Sequence, residues 1–539
     1  MIRIAALPSR AALAALVLAG SLAAPAAAAP LPKAIQKVMD ADRYRSASWS
    51  LYAADVKTGK PLYSLHANRR SFTGSTRKLM SVGLALDTLG ANARQTTTVH
   101  RQGSVDQQGT LRGSLVLVGG GDLAFGGRRI DADTIQFTDF DHNDANSLGS
   151  AGLTPHDPLY ALDRLARQVR RGGVTHVDGD VAVDDRLFEP YRVPNGKLLI
   201  TPVMLNENMV DLMATPATPG QPATVVARPQ SSALTLAGSI ATGAAGSKAE
   251  VELSENGRVS CIGAPGCTAT FGGSLPVGYR APLTGDRSLV QTFRIEDPDA
   301  FMRIAFVEAL GRHGVTVGAP TIAANPRALL PQRFGYSPST RVAAHRSAPL
   351  AQTARLVLKV SLNLGANLSL SLFGLHEGTR TVQGALAAER RALIRRFGLA
   401  PRQFRFPTNG SGTPDSEASP KALVQLLRGM ARSRAAKPFR AALPVMGRDG
   451  SLAHTGTTLA ARGNVRAKPG TTIVAGPDGD TIELKAQTMA GYLTTRSGRR
   501  VAFALMVNDV GEITEIERDV SGVFEDEARI LDVIIRTKR

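Results

Sequence analysis

The stretch SFTGSTRKLMSVGLAL, residues 71–86, decides how this chain is read, because Ser75 and Lys78 stand three apart where the pattern predicts the start of a helix. Side chains at that spacing share a helix face. A serine hydroxyl is a weak nucleophile at neutral pH and needs a base within hydrogen-bond reach. A lysine desolvated by packing sheds its proton and can be that base. Leu79, Met80, Val82, Leu84 and Leu86 supply the apolar surroundings. A helix start followed by a surface lysine is the simpler reading of an isolated S-x-x-K, so the rest of the chain has to choose.

The chain has 539 residues, 43% of them hydrophobic, which is too long for one compact core; two to four domains is the natural expectation. Residues 1–28 place Arg3 and Arg10 ahead of an Ala/Leu/Val run and end in small residues, the layout of a secretory signal peptide. That run is too short to span a bilayer, and no later stretch is long enough. The expectation is an exported protein, periplasmic or extracytoplasmic, soluble or peripherally membrane-associated. In an oxidising compartment Cys261 and Cys267, the only cysteines, most simply close a small loop as a disulfide. Without nearby histidines they make a poor metal site.

Sixty-four Lys and Arg against 45 Asp and Glu give a formal charge of +19. Such a field favours nucleic acid, acidic polymers or anionic lipid. Export argues against nucleic acid, as does the lack of any basic run interleaved with aromatics. Peripheral contact with anionic membrane or cell-wall polymer remains.

Along the chain, residues 34–42 read as a short helix and residues 48–72 as two strands around the turn at Lys57, Thr58 and Gly59. Residues 96–125 read as a hairpin with Gly103, Gly109 and Gly113 near turns. Gly119, Gly120 and Gly121 do not make a nucleotide loop, because the third glycine of G-x-G-x-x-G is absent. The run DFDHNDAN places Asp139, Asp141 and Asn143 as in a calcium loop. Asp144 replaces the required glycine, however, and Ser150 the bidentate glutamate, so a solvated acidic loop is expected.

Residues 158–171 look helical and 174–189 strand-like; the Ala/Gly/Pro/Ser/Thr-rich residues 214–249 suggest short strands and turns. A mostly β insertion over residues 100–341 follows. Helical periodicity returns at residues 352–374, 384–397, 420–435 and 439–443. Strands fill residues 464–508, with a hairpin turn at Ser497 and Gly498, and residues 515–536 close as an amphipathic helix. Strands at both ends with helices between predict one mixed sheet assembled from the termini, an α+β arrangement.

An active-site serine with a lysine base also needs a proton relay, groups that hold base and substrate, and backbone N–H donors for an oxyanion. Ser361 and Asn363 offer a hydroxyl and an amide at the head of an apolar helix. Lys468, Gly470, Thr471 and Thr472 follow on a strand, with a cation for a substrate carboxylate.

The order S-x-x-K, S-x-N, K-x-G resembles that of the serine D-alanyl-D-alanine carboxypeptidases and endopeptidases, the class C penicillin-binding proteins. Further family elements resemble TGSTRKL, LVLVGGGDL, LNENMVDLMATP, Asn409 to Gly412, LPVMGRDGSL and AGYLTTRSGRRVAFALMVN. The resemblance implies a penicillin-recognising, beta-lactamase-like transpeptidase domain, an antiparallel sheet flanked by helices, from residues 29–99 and 342–539, with β-rich accessory domains inserted at 100–341. It implies acyl transfer on peptidoglycan peptides: Lys78 deprotonates Ser75, and the N–H groups of Ser75 and Thr471 hold the oxyanion. Ser361 relays the proton, Asn363 positions Lys78 and the peptide, and Lys468 with Thr471 receives the terminal carboxylate. Beta-lactams would acylate Ser75. No metal or organic cofactor is implied.

Three decoys are set aside. Lys57-Thr58-Gly59 precedes the serine and fits a turn, and Ser254 to Asn256 reads as another turn. His454-Thr455-Gly456 rivals Lys468 but fits the family spacing less well. Three departures remain: Pro469 replaces the threonine of K-T-G, Leu362 the aspartate of S-D-N, and Asn409 the aspartate of D-G-S-G. The first removes a hydroxyl whose bond to a charged group contributes about 1.5 to 3 kcal/mol, unless Thr471 or Thr472 compensates. A weak or inactive peptidoglycan-binding member of the fold, a serine esterase or beta-lactamase, and a basic secreted binding module stay open as alternatives. Carboxypeptidase and endopeptidase action are not separable at this point.

Overall fold

The computed structural model describes residues 28–257, 259–476 and 480–537, so the leader reading of residues 1–28 lies, apart from Ala28, outside the described residues. Both ends of the chain meet in one five-stranded antiparallel sheet, in the order Pro61–Leu65, Ser48–Asp55, Arg500–Ile513, Ile482–Thr494, Arg466–Ala475. The middle strand is apolar on both faces because it serves two cores. Phe503, Leu505 and Val507 pack with Leu531 and Ile534 of the closing helix Ile516–Arg536. Ala502, Ala504 and Met506 face the layer that contains the serine helix Lys78–Leu89 and the helix Pro420–Met430. The expected sheet from the two termini is therefore present. Ser75 itself sits in a 3₁₀ turn, Gly74–Arg77, that runs straight into the serine helix.

The helix expected over residues 352–374 is two, Leu350–Lys359 and Asn363–His376. The break falls at Ser361, whose φ of 63° lies in the left-handed region that a serine seldom adopts. The insertion is also less purely β than expected. Its six-stranded sheet carries the helices Tyr160–Arg171 and Pro298–Arg312, packed on each other and on the sheet. The second is buried on nearly every side and shows no amphipathic stripe, yet Asp297 caps it and Pro298 opens it. Gly103 and Gly113 are not at turns: they face each other across the strands Thr96–Val105 and Thr110–Val118. Cys261 and Cys267 are disulfide-bonded.

The acidic run is the largest correction. Asp141 and His142 are buried, not solvated. Arg128 donates to both oxygens of Asp141, at 2.7 and 2.8 Å, and to Glu207 at 2.8 Å. His142 sits between Glu207 and Asp211, 2.7 Å from each. Glu207 belongs to the turn Asn206–Asn208, in which all three residues have positive φ, at 49°, 52° and 58°. Among the described residues no cluster of His, Cys, Asp and Glu forms a metal site, and no helix is long and apolar enough to cross a membrane.

One buried ion pair ties the serine turn to the helical layer. Arg77 donates to Glu389 of the helix Val382–Phe397 at 2.8 and 2.5 Å, and its guanidinium lies 4.0 Å from the centre of the Phe406 ring. Removing one partner of such a pair strands the other charge. Glu389→Ala should cost about 3 to 5 kcal/mol in urea unfolding, and a loss below about 1 kcal/mol would contradict this account.

Candidate active site

Lys78 is the first residue of the serine helix and has no exposed surface. Its Nζ lies 2.6 Å from Ser75 Oγ, 3.3 Å from Ser361 Oγ and 3.2 Å from the Ser411 carbonyl. Burial pulls its pKa down to about 7; Asp144 opposes that shift and Arg77 adds to it. The left-handed backbone at Ser361 is thus what brings a hydroxyl onto the amine from the break between two helices.

Three glycines let backbone close around Ser75. A Cβ on Gly470 would lie 2.5 Å from Thr73 O and 2.6 Å from Ser75 N. One on Gly412 would lie 2.0 Å from Gly74 O, and one on Gly74 2.7 Å from Thr471 N. The turn carrying the serine and the strand Arg466–Ala475 therefore touch through main chain.

Asn409 folds the facing loop. Its Oδ1 accepts from the N–H groups of Ser411 and Gly412 at 2.8 and 2.7 Å, and its Nδ2 donates to Thr413 O at 3.2 Å. This accounts for asparagine in place of aspartate, since a carboxylate has no donor for that carbonyl.

Lys468 is also fully buried, with Nζ 2.8 Å from Pro469 O. Its pKa is lowered by burial first and then by Lys78, with Asp144 opposing. Alternation along the strand places Lys468, Gly470 and Thr472 on the face toward the serine turn. Thr472 Oγ1 lies 3.2 Å from Thr413 Oγ1, whereas Thr471 Oγ1 donates to Gln487 at 2.9 Å. Thr471 and Thr472 thus both keep a hydroxyl on this strand, Thr472 on the face of Lys468 and Thr471 on the other. His454 is exposed and stacks on Phe140 with ring centres 5.1 Å apart. Lys468 shares an electrostatic environment with Lys78.

Asn363 is half-buried at the head of its helix, and among the described residues its side chain makes no hydrogen bond to Lys78. The amine's third partner is instead the Ser411 carbonyl, which the sequence reading missed. Asn367 was missed too: it accepts from Gly410 N at 2.8 Å and donates to Ser411 Oγ at 3.1 Å. An amide on an otherwise apolar helix was the available signal. Asp144 was set aside with the acidic run, yet it interacts electrostatically with both lysines.

Because Gly470 has no room for a side chain, Gly470→Ala must push the strand off the serine turn. A displacement of about 1 Å at a reactive centre costs on the order of a hundredfold in rate. Acylation of the serine should fall by about that factor, with a stability loss of about 1 to 3 kcal/mol from the overpacked contact; near-native rates would refute the contact.

The model of the D-Ala-D-Ala carboxypeptidase 3 (S13) family matches residues 31–524. A D-alanyl-D-alanine carboxypeptidase of Actinomadura sp. (strain R39) is 27% identical over 479 residues, which cover 83% of this chain and 78% of that protein. The crystal structure of penicillin binding protein 4 from Haemophilus influenzae superposes with a TM-score of 0.65 at 16% identity, covering 93% of this chain and 99% of that one. The same protein complexed with a beta-lactam gives 0.63 over the same shares. These overlaps extend over the insertion as well as the terminal sheet, and the penicillin-binding fold is the one found here. The chain belongs to the D-Ala-D-Ala carboxypeptidase 3 (S13) family.

Proposed function

We propose that this chain cleaves peptidoglycan stem peptides at D-Ala-D-Ala bonds through an acyl-enzyme on Ser75, acting as a carboxypeptidase and, where the D-alanine bond is part of a cross-link, as an endopeptidase. The observation that carries the reading is the 2.6 Å contact between Ser75 Oγ and the amine of a lysine with no exposed surface. An amine of pKa about 7 is about half neutral at pH 7 and can accept a proton there, whereas an ordinary lysine is almost wholly charged. Lys78 takes the Ser75 proton as Oγ attacks the carbonyl carbon between the two D-alanines. The N–H groups of Ser75 and Thr471 hold the oxyanion. Ser361 passes the proton from Lys78 to the leaving amine as the C–N bond breaks, and water then hydrolyses the ester. Lys468 with Thr471 receives the terminal carboxylate, with Gly470 keeping the strand close and Thr472 adding a second hydroxyl on this strand; Asn363 positions the peptide.

The catalytic unit in this reading comprises residues 29–99 and 342–539, with 100–341 as the insertion. The strands Thr96–Val105 and Arg341–Arg346 pair with each other, which sets the two crossings side by side. The leader-like residues 1–28 support export to the periplasm or beyond.

A weak or non-hydrolysing binding protein is the second reading, because Pro469 lacks the family hydroxyl; turnover of a D-Ala-D-Ala peptide separates the two. Intact-mass measurement with benzylpenicillin should show one adduct on the native chain and none on Ser75→Ala. Its rate of formation should rise with pH through about 7, since only neutral Lys78 accepts the proton and the protonated form below that pH cannot. No adduct on the folded protein, or one that persists in Ser75→Ala, would overturn the assignment.

The charge suggests where an anionic surface would bind. Residues 390–440 contain twelve Lys and Arg against Asp415 and Glu417 alone. Arg390, Arg391, Arg395, Arg402, Arg432 and Lys437 are exposed on or beside the helices Val382–Phe397 and Ala436–Ala442. Retention on phosphatidylglycerol vesicles should fall steeply between low and 0.15 M salt, where the screening length is about 8 Å. Reversing Arg391 and Arg395 to Glu should abolish it. Salt-insensitive retention would remove this partner.

A further inference from the structure

We propose that a cavity at the junction of the catalytic unit and the insertion, lined by Arg94, Arg129, Arg164 and Arg346, is a binding site for a small phosphate monoester. The site stands apart from the Ser75 reading and shares none of its residues.

The cavity has a volume of about 380 Å³ and one acidic lining residue, Asp133. Its four arginines come from four separate pieces of chain. Arg94 precedes the strand Thr96–Val105, and Arg129 opens a hairpin that bridges back at Ile135. Arg164 lies on the helix Tyr160–Arg171, and Arg346 ends the strand Arg341–Arg346. Arg94 and Arg346 thus belong to the unit 29–99 and 342–539, Arg129 and Arg164 to the insertion. A ligand held by all four joins the two.

Each piece is fixed by bonds that do not depend on the charge of the cavity. Beside Arg129, Arg128 is locked in its buried pairs with Asp141 and Glu207. Arg94 donates to the Ala132 carbonyl at 2.9 Å and to the Ser347 carbonyl at 2.8 Å, tying the hairpin to the end of the returning strand. Gln168 clamps the helix to that strand, donating to Ala344 O and accepting from Ala344 N, both at 3.0 Å. The strand in turn pairs Arg346 with Thr96, two residues beyond Arg94. The backbone therefore sets where the guanidinium groups meet.

The charges left over decide the ligand. Arg94 has a carboxylate partner, Asp133. Arg129 donates to the Arg346 carbonyl at 3.1 Å, and among the described residues neither it nor Arg164 nor Arg346 is in an ion pair within 4 Å. Arg164 and Arg346 are exposed and open to an incoming anion. Like charges gathered without counter-ions oppose folding, so the stability of the fold does not account for their assembly. A single carboxylate would neutralise one of the three cations. A phosphate monoester carries about −1.5 to −2 charges at pH 7 and three acceptor oxygens, which match the planar forks of the guanidinium groups. The cavity is roomier than a bare phosphate requires, leaving space for the group to which the phosphate is esterified.

Isothermal titration of the native chain with glycerol 3-phosphate in about 0.15 M salt is the test. Saturable binding is expected, clearly tighter than that of glycerate, the carboxylate counterpart. Arg164→Gln and Arg346→Gln should each weaken it about tenfold to a hundredfold, the effect of removing a bond to a charged group. Arg171→Gln, on the same helix but outside the lining, should not. Because neither Arg164 nor Arg346 has a carboxylate partner, both variants should melt as the native chain does without ligand, and should lose the rise in midpoint that the ester gives it. Sedimentation with vesicles containing phosphatidic acid separates the sources. Binding of the free ester assigns the site to a soluble phosphate ester; retention on vesicles alone, lost in Arg164→Gln and Arg346→Gln, assigns it to a lipid headgroup. The proposal is overturned by equal affinity for glycerate, by affinity unchanged in both variants, or by a loss as large in Arg171→Gln. Failure of the ester to bind, with vesicle retention absent or unchanged in both variants, overturns it as well.

Discussion

Lys78 carries a primary amine to a place that water does not reach, and the surrounding fold must supply in oxygen atoms what hydration would have given. It does so from three separate pieces of chain: Ser75 in the adjoining turn, Ser361 at a helix break, and the Ser411 carbonyl in a loop folded by Asn409. The arrangement is costly. A lysine whose pKa falls from 10.5 to about 7 on folding is charged in the unfolded chain wherever the native amine resists charge. The native state is therefore destabilised by the whole shift, roughly 5 kcal/mol, at pH below about 7, and the penalty fades as pH rises toward 10.5. The apolar cores on both faces of the terminal sheet and the Arg77–Glu389 pair hold the amine in place against it. In the proposed mechanism the same feature that weakens the fold is what makes the lysine a usable base.

What the sequence disclosed and what it withheld divide along contact range. Hairpins at Lys57–Gly59 and Ser497–Gly498 and the serine-lysine spacing are local, and each was readable from a few neighbouring residues. The sheet built from both termini was readable because its strands are apolar and end in turns. The break at Ser361 was not: LVLKVSLNLGANLSL keeps apolar residues at helical spacing on both sides of it, and the pattern carries across a residue that sits at positive φ. The buried helix Pro298–Arg312 escaped for a related reason, since a helix covered on all sides has no stripe to detect.

The acidic run shows how charge misleads when its partners are distant. DFDHNDAN reads as solvated because nothing near it in sequence neutralises it, yet Arg128 lies 13 residues before Asp141 and Glu207 lies 65 residues after His142. The turn Asn206–Asn208 was visible only as a family element; its three left-handed residues aim Glu207 into the network. A buried cluster of this kind is strong evidence for a fixed loop rather than for stability, because desolvation offsets much of the ion-pair energy. Here the loop that it fixes carries Asp144, whose charge acts on both lysines.

The departures at Pro469 and Asn409 can be weighed on the same grounds. Arg466–Ala475 is the outer strand of its sheet, where proline is tolerated because one side of the ladder has no further neighbour. Proline keeps its carbonyl, the atom to which Lys468 donates. What the strand loses is a hydroxyl at position 469, while Thr472 presents one on the face of Lys468 and Gly470, within reach of Thr413 across the cleft. The lysine, the close backbone and hydroxyls, those of Thr471 and Thr472, are therefore all still present along this strand, with the hydroxyls moved toward its far end. A carboxylate bound there would sit nearer the loop 409–413 than one held by a K-T-G threonine, and so nearer the part of the cleft that Asn409 shapes.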